Sequence, residues 1–223
     1  MNYLPDSVTS IGNSAFAYCG AGQDLFLRGF SGKTGRGIFY SSKIKSITLG
    51  AGFKGVGDVY NYMASFQGCS GITNLVFSPE SSGVFLTNSA FACSCTLAQP
   101  LVLYGVTIVQ NAAFSGCKIP SITFDKGIET IGTLSGVTTL REVHFLGAPP
   151  SDQTGTFADY GQATTVDVTT YVRRKYGNLW LPYSANGEIN MVNTTFSSAY
   201  ATNPAKRKLL FVDKLPGFYV QFK

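Results

Sequence analysis

Charge is scarce in this chain. Of its 223 residues only 13% are Asp, Glu, Lys or Arg, about half the usual share. A long helical protein needs more than that. Histidine occurs once, as His144, and tryptophan once, as Trp180. Any Ser-His-Asp or Cys-His catalytic set would therefore have to use His144. A zinc finger needs two cysteine pairs, or cysteines with nearby histidines, and Cys93-Ser94-Cys95 with one distant histidine does not meet that. No apolar run approaches the roughly 18–20 residues of a membrane-spanning helix, and no basic-apolar-small leader opens the chain. A phosphate loop fails too: Gly32-Lys33-Thr34 has Leu27 where the first glycine belongs. Residues 29–37 read as an inserted loop.

What is present points to short elements joined by tight turns. The chain is 44% hydrophobic and contains 25 glycines, with frequent Asn, Ser and Thr. That composition can form a substantial core and excludes disorder.

The core is written as a repeat. Phe16, Phe39, Phe66, Phe91, Phe114, Leu134 and Phe157 recur every 20 to 27 residues. Three places after each stand Cys19, Ser42, Cys69, Ser94, Cys117, Val137 and Tyr160. A short strand follows, with apolar residues two apart: Leu25/Leu27, Ile47/Leu49, Leu75/Phe77, Leu101/Leu103, Ile122/Phe124, Val143/Phe145 and Val166/Val168. Spacing of two puts both residues on one face. A unit of this size cannot bury its apolar face alone, whereas stacked units share a continuous core. The pattern predicts a mostly β solenoid with parallel strands and an inner file of phenylalanines. The residue between each inward pair should face out, giving an exposed row of Phe26, Thr48, Val76, Val102, Thr123, His144 and Asp167. Asn or Ser ahead of Ala-Phe is expected to cap one short helical turn. Ile11-Gly12 and Ile131-Gly132 suggest a second set of short strands opposite the first, with glycine permitting the corner.

The first copy, Leu4-Pro5-Asp6-Ser7-Val8-Thr9-Ser10-Ile11-Gly12-Asn13-Ser14-Ala15-Phe16-Ala17-Tyr18-Cys19, resembles the BspA-type, or Treponema-type, leucine-rich repeat. That family's phrase runs Leu-Pro-x-x-Val-x-x-Ile-Gly-x-x-Ala-Phe-x-x-Cys, and the likeness covers about residues 4–168. Gly37-Ile38-Phe39 departs from it, as do Leu134 and Val137. The resemblance implies a right-handed leucine-rich-repeat-like parallel β solenoid on a bacterial surface or secreted protein. Some members of the family are adhesins. The resemblance implies no catalytic residue, cofactor or metal.

Because Met1 leads straight into mid-repeat sequence, the chain reads as a fragment or as a mature protein without its leader. Residues 1–168 read as a solenoid of about seven repeats, and 169–223 as a C-terminal capping segment. Within that segment Thr169 to Tyr176 reads as a helix, capped by Thr169 or Thr170 and ended by Gly177. Tyr171, Tyr176 and Trp180 are expected to close the core end. Residues 184–207 read as loop, and Lys208–Val212 with Phe218–Phe222 as a terminal hairpin. Residues 172–223 hold eight basic side chains against Glu188 and Asp213; they read as a solvated face, with no nucleic-acid partner. Asn193-Thr194-Thr195 fits a glycosylation acceptor, idle in a bacterial protein.

Five cysteines are present. Cys19, Cys69 and Cys117 share one repeat position, so their thiols should be buried as small apolar filler. The odd count argues against a disulfide framework. His144 and Asp167 on adjacent strands are the most enzyme-like pair, but an exposed row lacks a water-excluding pocket. Asp125 and Glu129 are four apart, and nothing beyond chance marks them as a glycosidase pair. The function expected is therefore non-catalytic: protein–protein or host-matrix adhesion at the cell surface or in the secreted fraction. The alternatives are carbohydrate binding through Trp180 and Tyr183, or a spacer within a longer surface protein.

Overall fold

The computed structural model describes residues 2–3, 8–20, 22–27, 33–56, 65–132, 134, 136–150, 168–181, 184–185, 188–189 and 207–213. Phe157, Tyr160, Val166, Asp167, Tyr183, Asn193 and the second strand expected at 218–222 lie outside them.

The alternating segments form the long ladder. Strands β1 (Asn2–Tyr3), β3 (Gln23–Leu27), β5 (Ile44–Leu49) and β7 (Asn74–Phe77) pair in parallel, one strand per layer. A second run continues it through β9 (Leu101–Leu103), β11 (Ser121–Phe124), β13 (Glu142–Phe145), β14 (Val168–Arg173) and β17 (Arg207–Val212), again parallel. The Ile-Gly segments form the opposite wall. There β2 (Ser10–Ile11) pairs with β4 (Lys33–Thr34). Beyond them β6 (Gly55–Val56), β8 (Val84–Leu86), β10 (Val106–Val109) and β12 (Thr130–Ile131) form a four-stranded parallel sheet. The expected loop at 29–37 is corrected in part, since Lys33–Thr34 belongs to this wall.

Between the walls the phenylalanines queue. Phe16, Phe39, Phe66, Phe91 and Phe114 stack with centroids 5.4, 5.1, 4.9 and 5.6 Å apart and planes within 13°. The last four are buried, while Phe16, in the first layer, is half-buried. The turn that presents each ring is not a capped helical turn. Its residues two before the ring, Ser14, Gly37, Ser89 and Ala112, have positive φ. So do those two after it: Tyr18, Ser41, Gly68, Gly116 and Gly136. The turns bond to one another instead. Phe16 N–H donates to the Ile38 carbonyl (2.8 Å), Phe39 to Ser65 (2.9 Å), Phe66 to Ala90 (3.0 Å) and Phe91 to Ala113 (2.6 Å). Asn13 accepts from the Arg36 amide of the next layer at 2.8 Å, so its carbonyl joins layers and does not cap its own turn.

The Ile-Gly glycines are corrected in the same way. Gly132 is not among the positive-φ glycines. A Cβ there would come within 2.5 Å of the Asn111 amide nitrogen. The layer above Asn111 needs bare backbone at this point.

The end of the ladder differs from the sequence reading. Thr169 and Thr170 lie in β14, and β13 pairs Val143 with Thr170 and Phe145 with Val172. The inward pair of this layer is thus Thr170/Val172, four residues later than Val166/Val168. The helical stretch follows as a 3-10 turn, Arg174–Tyr176, and α1, Gly177–Trp180, which Gly177 begins and does not end. Trp180 is fully buried against Phe145, with centroids 4.6 Å apart, and donates to the Gly147 carbonyl at 3.2 Å. The loop expected over 184–207 contains β15 (Ser184–Ala185) and β16 (Glu188–Ile189), an antiparallel pair that extends the sheet from β17.

Candidate functional site

The outward residues of the long ladder align across the layers, in two blocks. Phe26 pairs with Thr48 and Thr48 with Val76. Val102 pairs with Thr123 and Thr123 with His144. Between the blocks, β7 and β9 lie side by side without a ladder joining them. Leu97 and Leu101 stand four residues apart, where Ile44/Ile47, Ile72/Leu75, Ile119/Ile122 and Leu140/Val143 stand three apart. This layer thus carries one residue more than its neighbours before its strand, and Pro100 has no amide donor at the same point. A cleft of about 200 Å³ opens at this seam, lined in part by Asn74, Val76, Gln99, Pro100, Val102 and Tyr104.

The row is not uniformly exposed. Val76 is 38% exposed, and Phe26, Thr48 and Val102 are half-buried. Thr123 and His144, expected outside, are 1% and 2% exposed. Both faces of β11 are buried, as in a sheet covered on two sides.

His144 has a different neighbour from the one expected. The register brings Tyr171 opposite it, with rings stacked at 4.8 Å. Its Nε2 lies 3.1 Å from Glu142 Oε2, and its buried Nδ1 has no partner among the described residues. Burial pushes the imidazole pKa down, against a smaller upward pull from Glu142. Burial, then the Glu142 charge, pushes the Tyr171 hydroxyl up. No hydroxyl or thiol among the described residues bonds to His144. Asp125 is used structurally: its carboxylate accepts from the Gly105 amide at 3.2 Å and the Lys126 amide at 2.8 Å. Of the basic residues, Arg174 pairs with Asp213 at 3.0 Å on the surface, and Lys175 sits over the Tyr176 ring.

A second cleft, of about 410 Å³, lies in the first layers between Phe16, Leu25, Phe39 and Ile44. Its cause is a missing core residue. Gln23 pairs with Ile44, where later layers bury Ile72, Leu97, Ile119 and Leu140. Gln23 is exposed.

The cysteine file holds the least expected arrangement. Ser42 and Cys69 take the position three after the ring as read from the sequence, and each donates to the ring residue one layer back. Ser42 Oγ reaches the Phe16 carbonyl at 2.7 Å and Cys69 Sγ the Phe39 carbonyl at 2.9 Å. Cys19 instead is exposed. In the fourth layer Ser94 turns outward, and its neighbours Cys93 and Cys95 are buried. Cys95 is disulfide-bonded to Cys117, which corrects the reading of these cysteines as free filler. Cys93 Sγ is 3.8 Å from Cys117 Sγ. Burial pushes the Cys93 thiol up to about 12 and the Cys69 thiol up to about 11. The signal in the sequence was the Cys-x-Cys doublet: alternation permits two inward thiols only if the middle residue faces out.

The description BspA type Leucine rich repeat region matches the chain in six copies, over residues 2–100 and 85–172. No curated protein and no solved structure matches it. The stacked turns, the parallel ladder and these matched residues lead to one assignment: the chain belongs to the BspA-type leucine-rich-repeat family.

Proposed function

We propose that the chain is a non-catalytic bacterial surface or secreted protein that adheres to another protein, of the host matrix or of a neighbouring cell. Its contact surface is the open part of the outer row: Phe26, Thr48, Val76 and Val102, centred on the cleft at the seam. The observation that carries this reading is that cleft, which an exposed Val76 lines together with Val102 and Tyr104. Apolar side chains with a few polar groups around a concavity are what a protein contact uses. Thr123 and His144 are too buried to take part. Carbohydrate stacking on Trp180 has no support, because that ring is inside the core. The division into a solenoid of about seven repeats and a closing segment belongs to the same reading, with Trp180 as the plug of the last layers.

The experiment is a binding assay of the purified chain against immobilised matrix proteins and bacterial surface extracts, repeated with Val76→Asp and Val102→Asp. Binding by the parent that drops at least tenfold in both variants, with unchanged circular dichroism, supports the reading. Binding that survives both substitutions removes the seam as the contact. No binding at micromolar concentration removes adhesion itself.

A further inference from the structure

The Sγ atoms of Cys93, Cys95 and Cys117 all lie within 4.8 Å of one another, and all three residues are buried. They come from two successive layers, so the parallel stacking, and not local sequence, brings them together. We propose that, once the Cys95–Cys117 bond is reduced, these three cysteines form a binding site for one thiophilic d10 cation, Zn(II) or Cu(I).

Geometry is the first argument. Two thiolates on one such ion, each about 2.3 Å from it, stand roughly 3.8–4.0 Å apart. Cys93 and Cys117 already hold that separation, at 3.8 Å. Cys95 completes the triangle when its bond to Cys117 opens. Ligand chemistry is the second. Three sulfurs without a carboxylate or imidazole select soft cations over magnesium or calcium. Support by the fold is the third. The doublet Cys93-Ser94-Cys95 is fixed between neighbouring layers, with Ser94 in a bridge to Ser70 and Thr96 in a bridge to Lys118.

The chemistry balances in two steps. Two equivalents of a small thiol reductant convert the disulfide into two Cys–SH groups and become one small disulfide. The cation then displaces up to three thiol protons to form metal–sulfur bonds. Each thiol must lose its proton to become a ligand, so binding strengthens with pH. The two ions differ in net charge and ligand number. Three thiolates leave one negative charge with Zn(II), but zinc wants a fourth donor. They leave two with Cu(I), which accepts three.

The test uses the full chain, reduced and kept anaerobic, with each ion titrated separately against a chromophoric chelator. The expected result is one equivalent of Zn(II) or Cu(I) bound, with apparent affinity rising at least tenfold per pH unit. Cys117→Ser and Cys93→Ser should each lower it at least a hundredfold, and Cys19→Ser should leave it unchanged. Serine already occupies the position of Cys117 in the second layer, at Ser42, and circular dichroism checks that both Ser variants keep the fold. A hundredfold loss in Cys19→Ser, or equal affinity in Cys117→Ser, would overturn the site. So would failure of the reduced parent to bind either ion.

Discussion

Phe66 and Phe91 lie face to face, with centroids 4.9 Å apart and planes 5° from parallel. They stand in successive layers, and the amide of Phe66 donates to Ala90 beside the second ring. One pair of residues therefore shows both forces that join the layers: ring on ring, and turn on turn.

A cut in the middle of the file should be costly. Phe91→Ala removes a ring that touches Phe66, Phe114 and Phe77, and the predicted loss is about 3–5 kcal/mol. Phe16→Ala, at the half-buried end, should lose less than half as much. Urea unfolding of both variants checks the ratio. Equal losses would mean that the layers do not act through their neighbours.

Glycine 132 offers a backbone test. Gly132→Ala would drive a methyl into the Asn111 amide, and backbone cannot swing aside. We expect a loss of about 1–3 kcal/mol. Gly12→Ala meets nothing within 4 Å and should fall within about 0.5 kcal/mol of the parent. Thermal melts of the two variants side by side give the answer.

His144 predicts a pH dependence. Its folded pKa lies below the ordinary 6.5, so the unfolded chain takes up the proton first. Stability therefore falls as pH drops through 6.5, and the loss stops once pH passes the folded value. Glu142, half-buried on the same strand, and Tyr171, stacked on the ring, are the titratable groups in contact with it. His144→Gln should flatten this part of the curve, read as melting temperature between about pH 7.5 and 5. An unchanged slope in the variant would assign the effect elsewhere.

The cysteines should divide by reactivity. Cys19 is exposed; Cys69 and Cys93 are buried and protonated at neutral pH, and thiolate is the reactive form. Native protein treated with iodoacetamide without reductant should label at Cys19 alone. In denaturant Cys69 and Cys93 should join it, while Cys95 and Cys117 wait for reduction. Peptide mapping by mass spectrometry reads all five.

Much of this was legible in the chain, for a physical reason. A solenoid repeats one local solution, so Phe39, Phe66, Phe91 and Phe114 announce the inner file, and Ile47/Leu49 or Ile122/Phe124 announce the strands. What failed were features set by departures from the period. Strand β14 lies four residues later than the apolar pattern puts it, because Thr170 can take an inward place that the pattern assigns to Val166. Thr123 and His144 look outward by alternation, but alternation does not say whether the outer face is covered. Asn13 and Ser14 resemble a helix cap, whereas the bonds of their turn run between layers. The repeat register puts Ser94, the outward residue, in the inward file and so passes over Cys93 and Cys95.

The seam gives the last prediction. Leu97 to Leu101 is one residue longer than its counterparts, and Pro100 stands where Asn74 stands in the layer before. Deleting Pro100 restores the spacing of three and places Gln99, which has an amide to donate, at that point. The ladder between β7 and β9 should then close, since the flanking layers already pair on both outer sides. Two readouts follow. Amide hydrogen exchange at Phe77 and Val102, whose amides face each other's strand, should slow at least tenfold, because groups in a closed ladder open only with larger unfolding. If the cleft is the adhesive contact, binding should fall with it, although no side chain that lines it other than Pro100 has changed. Slower exchange with full binding would separate the two: the extra residue explains the split sheet, and the contact lies elsewhere on the row. Unchanged exchange would mean that one extra residue is not what holds β7 and β9 apart.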